Sequence, residues 1–452
     1  MRAFTDQTEP IEWLRDAAPW LLAPELGVCL VGSHALAIAC KRAGVTGPKP
    51  HDLDLAWALD VTAGQQLLEH HGVFLPTTEG SVQRGTLALK LNGCRVEITA
   101  FRDGAPSSPL AQRIAGDLLA RDMTVGALAV QIACGTLHDP VDGLQHWRER
   151  RVIPVGDVAE RVREHPVRWL RYFRKAREWN FDLDRSVRKL RLPYELINAL
   201  PREAITQELR AALLKCDSPG RLFVDLHEIG MLSHLSPELD RQFDGRPAGP
   251  QRWHPEVSQS LHLVLALEWA AKNSSHLNER DRLTLMLSVL LHDLGKGYTE
   301  PGDLPSHPGH ERKGLRYVEA FFHRMPGLLD NRGITIVRDV CALHVEIRNL
   351  NKLRSGTLAK LYDEHFRPAT YPVEVFALAV AADSAGRLGH SDDGPKYLLQ
   401  VKRDVEWLRA VCGFVDAKSL RERFPDVEHF IKALHQERSH AIAAALADEN
   451  DA

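Results

Sequence analysis

The sequence predicts an α+β protein in which a small domain of strands and helices precedes a longer, all-helical part. Between residues 27 and 101, several short runs alternate apolar and polar side chains with the two-residue period of β-strands. From residue 140 almost to the end, apolar side chains recur with the spacing of amphipathic helices. A stretch rich in Pro and Gly, residues 237–250, interrupts the helical part. We therefore expect three domains, at residues 1–140, 141–245 and 246–452.

Composition excludes several classes of protein. The chain of 452 residues is long enough for two to four domains with cores of their own, and its net charge of −3 indicates no general affinity for charged partners. The seven cysteines include no Cys-x-x-Cys pair, so we expect free thiols in a reducing compartment. The first ten residues lack the apolar run of a signal peptide, and no stretch reaches the roughly 18 apolar residues of a membrane span. These features predict a cytoplasmic protein that makes no use of a membrane.

The first strand-like run, residues 27–31, is followed by a small-residue turn, Gly32-Ser33, and then by a helix expected over residues 34–43. This order leaves free backbone N–H groups at the start of a helix, where a phosphate can bind. The alternative is that Gly32 and Ser33 only form a tight turn and a helix cap.

Asp52 and Asp54 lie in the next alternating run. Residues two apart on a strand face the same side, so their carboxylates should repel each other unless a cation such as Mg²⁺ binds there. Glu97 lies in a later run, after the hairpin signal Asn92-Gly93. A third carboxylate on a neighbouring strand would complete a two-metal site. The alternatives are a solvated sheet edge for the aspartates and a solubilising charge for Glu97.

Two expected helices carry charged motifs. Residues 116–134 are predicted to form one helix with Arg121 and Asp122 at the start of its apolar face. Residues 161–179 are predicted to form a basic amphipathic helix with interleaved aromatic side chains, in a stretch (146–191) that holds 14 Lys and Arg against 7 Asp and Glu. Such a helix can neutralise nucleotide or RNA phosphates. The alternative is a helix packed on the core with a solvated basic face.

The order of these motifs resembles the head and neck of class II tRNA nucleotidyltransferases and bacterial poly(A) polymerases. The matching segments are Val31-Gly32-Ser33, Asp52-x-Asp54, Val96-Glu97-Ile98, Arg121-Asp122-Met123-Thr124-Val125, Asp139-Pro140-x-x-Gly143-Leu144 and Glu164-His165-Pro166-Val167-Arg168-Trp169-Leu170-Arg171. The resemblance implies a nucleotidyltransferase-type α/β head, followed by an all-α neck and body. It also implies that ATP or CTP and the 3′ end of tRNA or another RNA are the partners.

Residue roles follow from the same resemblance. Asp52 and Asp54 match the aspartates that bind catalytic Mg²⁺, and Glu97 would be the third carboxylate. Arg121 and Asp122 match residues that contact the ribose and phosphates of the nucleotide. The remaining nucleotide-binding positions, which include the base-reading motif of the neck, are Gly32, Ser33, Glu164, His165, Arg168 and Arg171.

Three positions depart from the family pattern. Residues 32–35 read Gly-Ser-His-Ala, so the second glycine of the family's turn and the basic residue expected at the triphosphate are missing. His165 replaces an aspartate that accepts hydrogen bonds from the base, whereas a neutral imidazole has one donor and one acceptor. Gly126 replaces an asparagine. The nucleotide selection of the family therefore does not transfer directly to this chain.

The C-terminal third holds a second group of polar residues in apolar surroundings. The adjacent pair His292-Asp293 lies within an apolar helical run, and buried charges are costly unless they are paired or bind a metal. Imidazole suits transition metals and a carboxylate can bridge two ions, so the group predicts a metal site. Its members are His262, His292, Asp293, His310, His344 and Asp383.

Residues 251–383 resemble the HD phosphohydrolase domain of the long CCA-adding enzymes of γ-proteobacterial type, through Trp253-His254-Pro255-Glu256 and His292-Asp293-Leu294-Gly295-Lys296-Gly297. The resemblance implies an all-α domain with 2′,3′-cyclic phosphodiesterase, 2′-nucleotidase and phosphatase activities. Lys296 would hold a substrate phosphate. The implied ligands of a divalent transition metal or Mg²⁺ are His262, His292, Asp293 and Asp383, to which His310 and His344 would be added for a second ion.

Three functional hypotheses follow. In the first, the chain adds C and A to tRNA 3′ ends and also hydrolyses phosphate esters in its HD domain. In the second, only the HD domain catalyses, and the diverged head binds RNA or nucleotide. In the third, the chain is a non-enzymatic RNA-binding scaffold. The third is disfavoured because it leaves two polar clusters without the metal that would offset their cost. The sequence predicts no oligomeric state.

Overall fold

The computed structural model describes residues 9–50, 52–102 and 107–451. The chain forms two compact units, residues 1–192 and 193–452. The first combines a mixed sheet with helices, and the described part of the second is helical, which confirms the predicted α+β class. The finer division at residues 140 and 245 stays a prediction.

The first unit is built on a seven-stranded sheet with the strand order β3-β4-β5-β2-β1-β6-β7. Strands β2 and β5 are parallel, and the other neighbouring pairs are antiparallel. In chain order the strands are β1 (Cys29–Val31), β2 (Asp54–Trp57), β3 (Phe74–Leu75), β4 (Thr86–Leu91), β5 (Cys94–Ala100), β6 (Ala129–Gln131) and β7 (Leu137–His138).

The first unit also contains helices, and a short parallel pair, β8 (Arg151–Val152) and β9 (Asp182–Leu183), lies outside the sheet. The helices are α1 (Pro10–Ala17), α2 (Gly32–Arg42), α3 (Val61–His70), α4 (Glu79–Gln83), α5 (Leu110–Leu119), α6 (Gly143–Arg148), α7 (Val158–Glu164), α8 (Val167–Trp179) and α9 (Arg185–Lys189). Ile114 and Leu118 of α5 join Cys29, Ala56 and Ala129 of the sheet in one buried cluster. This cluster fixes the strands that carry the acidic motif.

The prediction of one helix over residues 116–134 is wrong. Helix α5 ends at Leu119, a 3₁₀ turn follows at Thr124–Gly126, and residues 129–131 form strand β6 against β1. A short apolar run fits a buried strand as well as a helix, and here the pairing with β1 decides the outcome.

The basic helix predicted over residues 161–179 is two helices, α7 and α8. His165 has an extended backbone, with φ −143° and ψ 91°, and Pro166 precedes the first residue of α8. Proline lacks the N–H that would continue the helix and disfavours helical geometry in the residue before it. The break turns the neck motif into a corner between two helices.

Helices are the regular elements of the second unit within its described residues, which also include an isolated β-bridge between Pro247 and Ser258. Its helices are α10 (Tyr194–Asn198), α11 (Arg202–Lys215), α12 (Gly220–Glu228), α13 (Leu232–Leu235), α14 (Pro237–Asp240), α15 (Gln259–Lys272), α16 (Glu279–Leu291), α17 (His310–Arg324), α18 (Asn331–Leu343), α19 (Ser355–Leu361), α20 (Val373–Ala385), α21 (Asp393–Gly413), α22 (Ala417–Arg423) and α23 (Val427–Asp451). Among the described residues, no helix has the length and apolar character that crossing a membrane requires.

Helix α20 is the centre of the second unit. Its residues from Val375 to Ala385 are all buried, and it packs against α15, α16 and α21. A helix that is apolar on all sides is stable only when neighbours cover it on all sides. Asp383 is the one acidic residue within this buried stretch, so the packing that buries α20 also fixes a carboxylate in the interior.

Candidate active sites

Strands β2 and β5 bring three carboxylates to one cleft of the first unit. Asp54 and Glu97 are register partners on these parallel strands, and both line a cleft of about 510 Å³ together with Asp52. We call it the acidic cleft. The predicted position of Glu97 on the strand next to Asp54 is confirmed, whereas the catalytic role of the three carboxylates stays a prediction.

The electrostatics of the acidic cleft suit a bound cation. Burial and the neighbouring charge of Asp52 raise the pKa of Asp54. The positive charge of Arg121 lowers it, and the net pKa is about 6. Glu97 is half exposed and pairs with Arg95 at 3.2 Å. Carboxylate oxygens are the ligands that Mg²⁺ prefers, so the residue types that line this cleft fit the predicted ion.

Gly32 begins α2 directly after β1, as the predicted strand, turn and helix require. It adopts φ +63°, and a Cβ at this position would lie 3.6 Å from Oδ2 of Asp54. Gly32 and Ser33 therefore form the first turn of a helix beside the acidic cleft. The predicted binding of a phosphate at this turn stays a prediction.

A second cleft in the first unit is lined by most of the predicted nucleotide-binding residues. It has a volume of about 620 Å³, and we call it the arginine cleft. The predicted residues that line it are Arg121, Asp122, His165, Arg168 and Arg171. Sequence reasoning missed four others, Gln83, Arg84, Thr86 and Arg102, whereas Gly126 and Val167, which also line the cleft, are positions of the family pattern. The position of Arg84 and Arg102 next to the ends of the β4–β5 hairpin was the available signal for them.

Hydrogen bonds hold the guanidinium groups of this cleft in place. Nη2 of Arg121 donates to Oδ2 of Asp117 at 3.0 Å, and Nη1 of Arg171 donates to Oδ2 of Asp122 at 3.1 Å. Nη1 of Arg168 donates to Oε2 of Glu164 at 2.6 Å, so the predicted Glu164 acts here by orienting Arg168.

His165 lines the arginine cleft from the corner between α7 and α8. Burial, reinforced by the positive charge of Arg168, lowers the pKa of His165. Its imidazole is therefore neutral at pH 7 and offers one hydrogen-bond donor and one acceptor.

The second unit brings all six predicted metal ligands together in what we call the His–Asp cluster. All six residues are at least nine-tenths buried. Helix α15 supplies His262, the turn after α16 supplies His292 and Asp293, α17 begins at His310, His344 follows α18, and α20 carries Asp383.

Within the His–Asp cluster, Asp293 faces two groups of histidines through different oxygens. Oδ2 of Asp293 lies 3.1 Å from Nε2 of His292 and 3.9 Å from Nε2 of His262. The same Nε2 of His262 lies 3.2 Å from Oδ1 of Asp383. Oδ1 of Asp293 lies 3.2 Å from Nε2 of His310 and 3.5 Å from Nε2 of His344. A carboxylate in this position can bridge two ions.

Hydrogen bonds on the far side of the rings fix the tautomers. Nδ1 of His292 lies 2.7 Å from the carbonyl oxygen of Val289, and Nδ1 of His310 lies 2.9 Å from that of His307. Nδ1 of His344 is 3.1 Å from the carbonyl oxygen of Val340. A carbonyl only accepts, so each Nδ1 carries a hydrogen, and Nε2 is the nitrogen that would bind a cation through its lone pair when the ring is neutral.

Glu256 performs the same task for His262, and sequence reasoning gave it no role. Oε1 of Glu256 accepts from Nδ1 of His262 at 3.1 Å and from Nδ1 of His254 at 2.8 Å, while Oε2 accepts from the backbone N–H of Leu388 at 3.2 Å. Its carboxylate is completely buried. A carboxylate behind a histidine is a common support of metal sites.

The His–Asp cluster passes a test for metal binding that is independent of the motif. Four of its atoms are buried without a hydrogen-bond partner in the described part of the chain: Nε2 of His262, Nε2 of His292, Oδ1 of Asp293 and Oδ2 of Asp383. Buried polar atoms without partners are rare because they are costly. A divalent cation would satisfy such a set, and imidazole with carboxylate suits a transition metal.

Comparison with known proteins identifies the family of the chain. The family model for the poly(A) polymerase head domain matches residues 40–153. The multifunctional CCA protein of Alkalilimnicola ehrlichii is 34% identical over 343 residues, which are 74% of this chain and 78% of that protein. The chain belongs to the multifunctional CCA protein family. This membership confirms the predicted family and the predicted enzyme class, a nucleotidyltransferase.

Other members of the multifunctional CCA protein family and solved structures agree. The protein of Cupriavidus metallidurans is 32% identical over 343 residues, covering 73% of this chain and 78% of its own. The Bacillus stearothermophilus CCA-adding enzyme in complex with CTP has the same fold, with a TM-score of 0.64, 18% identity, and coverage of 99% of this chain and 98% of that one. A CCA-adding enzyme with ATP gives a TM-score of 0.57 at 16% identity, over 98% and 94% of the two chains.

Proposed function

We propose that the first unit is a tRNA nucleotidyltransferase that adds C and A to tRNA 3′ ends, with CTP and ATP as donors. One observation carries the proposal: the parallel register of β2 and β5 places Asp54 opposite Glu97, beside Asp52, in one cleft. The names of the relatives, which are multifunctional CCA proteins, support the same reaction. This substrate favours a cytoplasmic location.

Asp52, Asp54 and Glu97 would hold Mg²⁺ in the acidic cleft. Mg²⁺ held by such carboxylates activates the terminal ribose 3′-hydroxyl and neutralises the pyrophosphate that leaves. The chain itself supplies the positive charge for the triphosphate in the arginine cleft, where Arg121 is oriented by Asp117. Arg121 also acts on Asp54 electrostatically, so the nucleotide phosphates would lie between the two clefts.

The second part of the proposal is that the His–Asp cluster hydrolyses phosphate esters, including 2′,3′-cyclic phosphates. His262, His292, Asp293 and Asp383 would hold one divalent ion, a transition metal or Mg²⁺, and Asp293 with His310 and His344 would hold a second. A divalent cation in such a site supplies Lewis-acid activation of water and of the phosphate ester. The buried orphan atoms of these residues support the assignment, and residues 246–452 would then be the HD domain.

A second candidate function keeps only the hydrolase and leaves the first unit as an RNA- or nucleotide-binding module. It is favoured by the first turn of α2, which contains Gly32, Ser33 and His34 where the family has a basic residue. The acidic cleft argues against it, because carboxylates repel phosphate groups and a module that only binds RNA or nucleotide gains nothing from them.

Primer extension on a tRNA without its CCA end separates these candidates. The protein is incubated with Mg²⁺ and with CTP and ATP, singly and together, and the products are resolved at single-nucleotide length. We expect extension by C and A, its loss in Asp52→Asn/Asp54→Asn, and its retention in His292→Ala/Asp293→Ala. Hydrolysis of a 2′,3′-cyclic nucleotide should be retained in Asp52→Asn/Asp54→Asn and lost in His292→Ala/Asp293→Ala. Absence of extension by the parent under every nucleotide mixture would leave only the second candidate.

A further inference from the structure

The two cations closest to the His–Asp cluster have different environments. Among the described residues, Nζ of Lys296 lies 2.7 Å from Oδ2 of Asp293, and Nη2 of Arg348 lies 3.2 Å from Oδ2 of Asp383. Each metal-binding carboxylate thus has one cationic neighbour. The question is which of the two cations is available to a substrate.

Lys296 is fully engaged inside the protein. Besides Asp293, its ammonium group donates to the carbonyl oxygen of Ala248 at 2.8 Å and contacts Oε1 of Gln259 at 3.5 Å. An ammonium has three N–H groups, and these three acceptors use them all. Its side chain is only 7% exposed. Lys296 therefore supports Asp293, and its position argues against the predicted contact with a substrate phosphate.

Arg348 is anchored but not fully used. Its Nε donates to the carbonyl oxygen of His344 at 3.1 Å, and its Nη1 lies 3.4 Å from Oγ of Ser384. A guanidinium has five N–H groups, so contacts with the described residues leave at least two of them for another acceptor. The side chain is 21% exposed, against 7% for Lys296.

The contact between Arg348 and Asp383 is an attraction between charges without a hydrogen bond. Oδ2 of Asp383 has no hydrogen-bond partner in the described part of the chain, so the N–H groups of Arg348 are not directed at it. When Asp383 gives its lone pairs to a divalent cation, its attraction for Arg348 falls. The guanidinium can then bind an anion without leaving its anchor on His344.

We infer that Arg348, and not Lys296, binds the phosphate group of the substrate at the His–Asp cluster. Its anchor places it beside His344 and Asp383, which belong to the two ligand groups that Asp293 joins. A phosphate held there would lie next to both groups, and a guanidinium can bind two phosphate oxygens at once. The inference rests on the proposed phosphohydrolase function and adds the residue that recognises the ester.

Phosphate binding to the Co²⁺-loaded full-length protein tests this inference. Titration calorimetry with Co²⁺, and then with inorganic phosphate on the loaded protein, measures the two affinities separately. For Arg348→Gln we expect Co²⁺ affinity within about threefold of the parent and phosphate affinity about 10- to 100-fold weaker, because one charged bidentate contact is lost. Arg348→Lys should be intermediate because it keeps the charge without the fork.

Two further variants complete the design. Lys352→Gln removes an exposed charge from the same segment and should match the parent in both titrations. Lys296→Met should weaken Co²⁺ binding, because Asp293 loses its buried partner, while the fraction that is loaded keeps its phosphate affinity. With p-nitrophenyl phosphate as substrate, Arg348→Gln should raise KM by a factor similar to its loss of phosphate affinity.

Several results would overturn the inference. The inference would be wrong if Arg348→Gln bound phosphate as tightly as the parent does. It would also be wrong if the affinities of that variant for Co²⁺ and for phosphate fell by the same factor, because the role of Arg348 would then be structural. If Lys296→Met lost phosphate binding at unchanged Co²⁺ content, Lys296 would be the residue that binds the phosphate. If the Co²⁺-loaded parent neither binds phosphate nor hydrolyses the ester, the proposed hydrolase function is refuted as well. If the parent does both and Arg348→Gln behaves like the parent, only the inference about Arg348 is refuted.

Discussion

At the scale of single residues, Glu256 shows how a carboxylate outside the ligand set can control a metal site. It accepts from Nδ1 of His262 and also from the backbone N–H of Leu388, which follows the helix that carries Asp383. The side chain of Glu256 thus fixes the tautomer of His262 and also the position of the segment that follows Asp383. A negative charge behind the imidazole also makes Nε2 a stronger donor to a cation.

We therefore expect Glu256→Gln to bind Co²⁺ about 10- to 100-fold more weakly than the parent, with little change in helix content. Titration calorimetry and the visible absorption of bound Co²⁺ measure the effect. Glu319→Gln is the matched control because Glu319 is an exposed acid of the same unit, paired only with Arg338 among the ion pairs described. Equal Co²⁺ affinity in the two variants would contradict the role of Glu256.

His365 is a residue whose charge should make stability depend on pH. A hydrogen bond from Nδ1 of His365 to Oδ1 of Asp339, at 2.8 Å, raises the pKa of His365. Burial opposes the shift, and the charges of Asp339, Glu364 and Glu346 add to it. The folded state thus binds the proton more tightly than the unfolded state does. The resulting stability is complete below the unfolded pKa, 6.5, and is lost as pH rises through the raised folded pKa.

The free energy of unfolding of the parent, minus that of His365→Gln, isolates this contribution from the other histidines. We expect a difference on the order of 1 kcal/mol at about pH 5.5 that shrinks towards about pH 8.5. Urea unfolding followed by circular dichroism at both pH values gives the two differences. A difference that grows with pH would show that the His365–Asp339 bond does not favour the charged imidazole.

At the scale of elements, the His–Asp cluster depends on the close approach of two segments. Gly295 lies in the 3₁₀ turn Leu294–Tyr298, which packs against the start of α17. A Cβ at Gly295 would lie 1.9 Å from the carbonyl oxygen of His310 and 2.9 Å from the backbone nitrogen of Gly314. Neither backbone atom can move without moving α17, so only glycine lets His310 reach Asp293.

Gly295→Ala should consequently lower the free energy of unfolding by about 1–3 kcal/mol and reduce Co²⁺ binding, because α17 is pushed away. Thermal unfolding and metal content after dialysis measure the two effects. Gly302→Ala is the control, since a Cβ at Gly302 would meet no described atom within 4 Å. Unchanged Co²⁺ content in Gly295→Ala would mean that His310 does not contribute to metal binding.

At the scale of the whole molecule, the strand-like runs were predicted correctly, whereas the helices predicted over residues 116–134 and 161–179 were wrong because strand pairing and a proline decided those segments. The two-residue period around Asp52 and Asp54 identified β2, but its parallel pairing with β5 depends on the strand order of the complete sheet. The sequence predicted Lys296 as a ligand of the substrate phosphate, yet the direction of its side chain follows from the acceptors that surround it, which the sequence does not show. The roles of Glu256 and Arg348 combine partners nearby in the sequence with the distant Leu388 and Asp383, and no local pattern encodes the distant contacts.

The division into two units leads to a prediction about where each ligand is felt. The candidate ligands of the His–Asp cluster all lie in residues 193–452, and the acidic cleft lies in residues 1–192. A ligand that binds only the folded state of its own unit slows local unfolding there. At 100 times its Kd the stabilisation is about 2.7 kcal/mol, which corresponds to roughly 100-fold slower amide exchange.

Hydrogen exchange of the full-length protein should show this division. Co²⁺ should protect α15, α17 and α20, which carry cluster residues, and leave β2 and β5 unchanged. Mg²⁺ with CTP should protect β2 and β5, because their carboxylates would hold the ion. His292→Ala/Asp293→Ala should abolish the first response and keep the second, while Asp52→Asn/Asp54→Asn should do the opposite. Protection of β2 by Co²⁺ that survives in Asp52→Asn/Asp54→Asn would instead show that the two sites are energetically coupled.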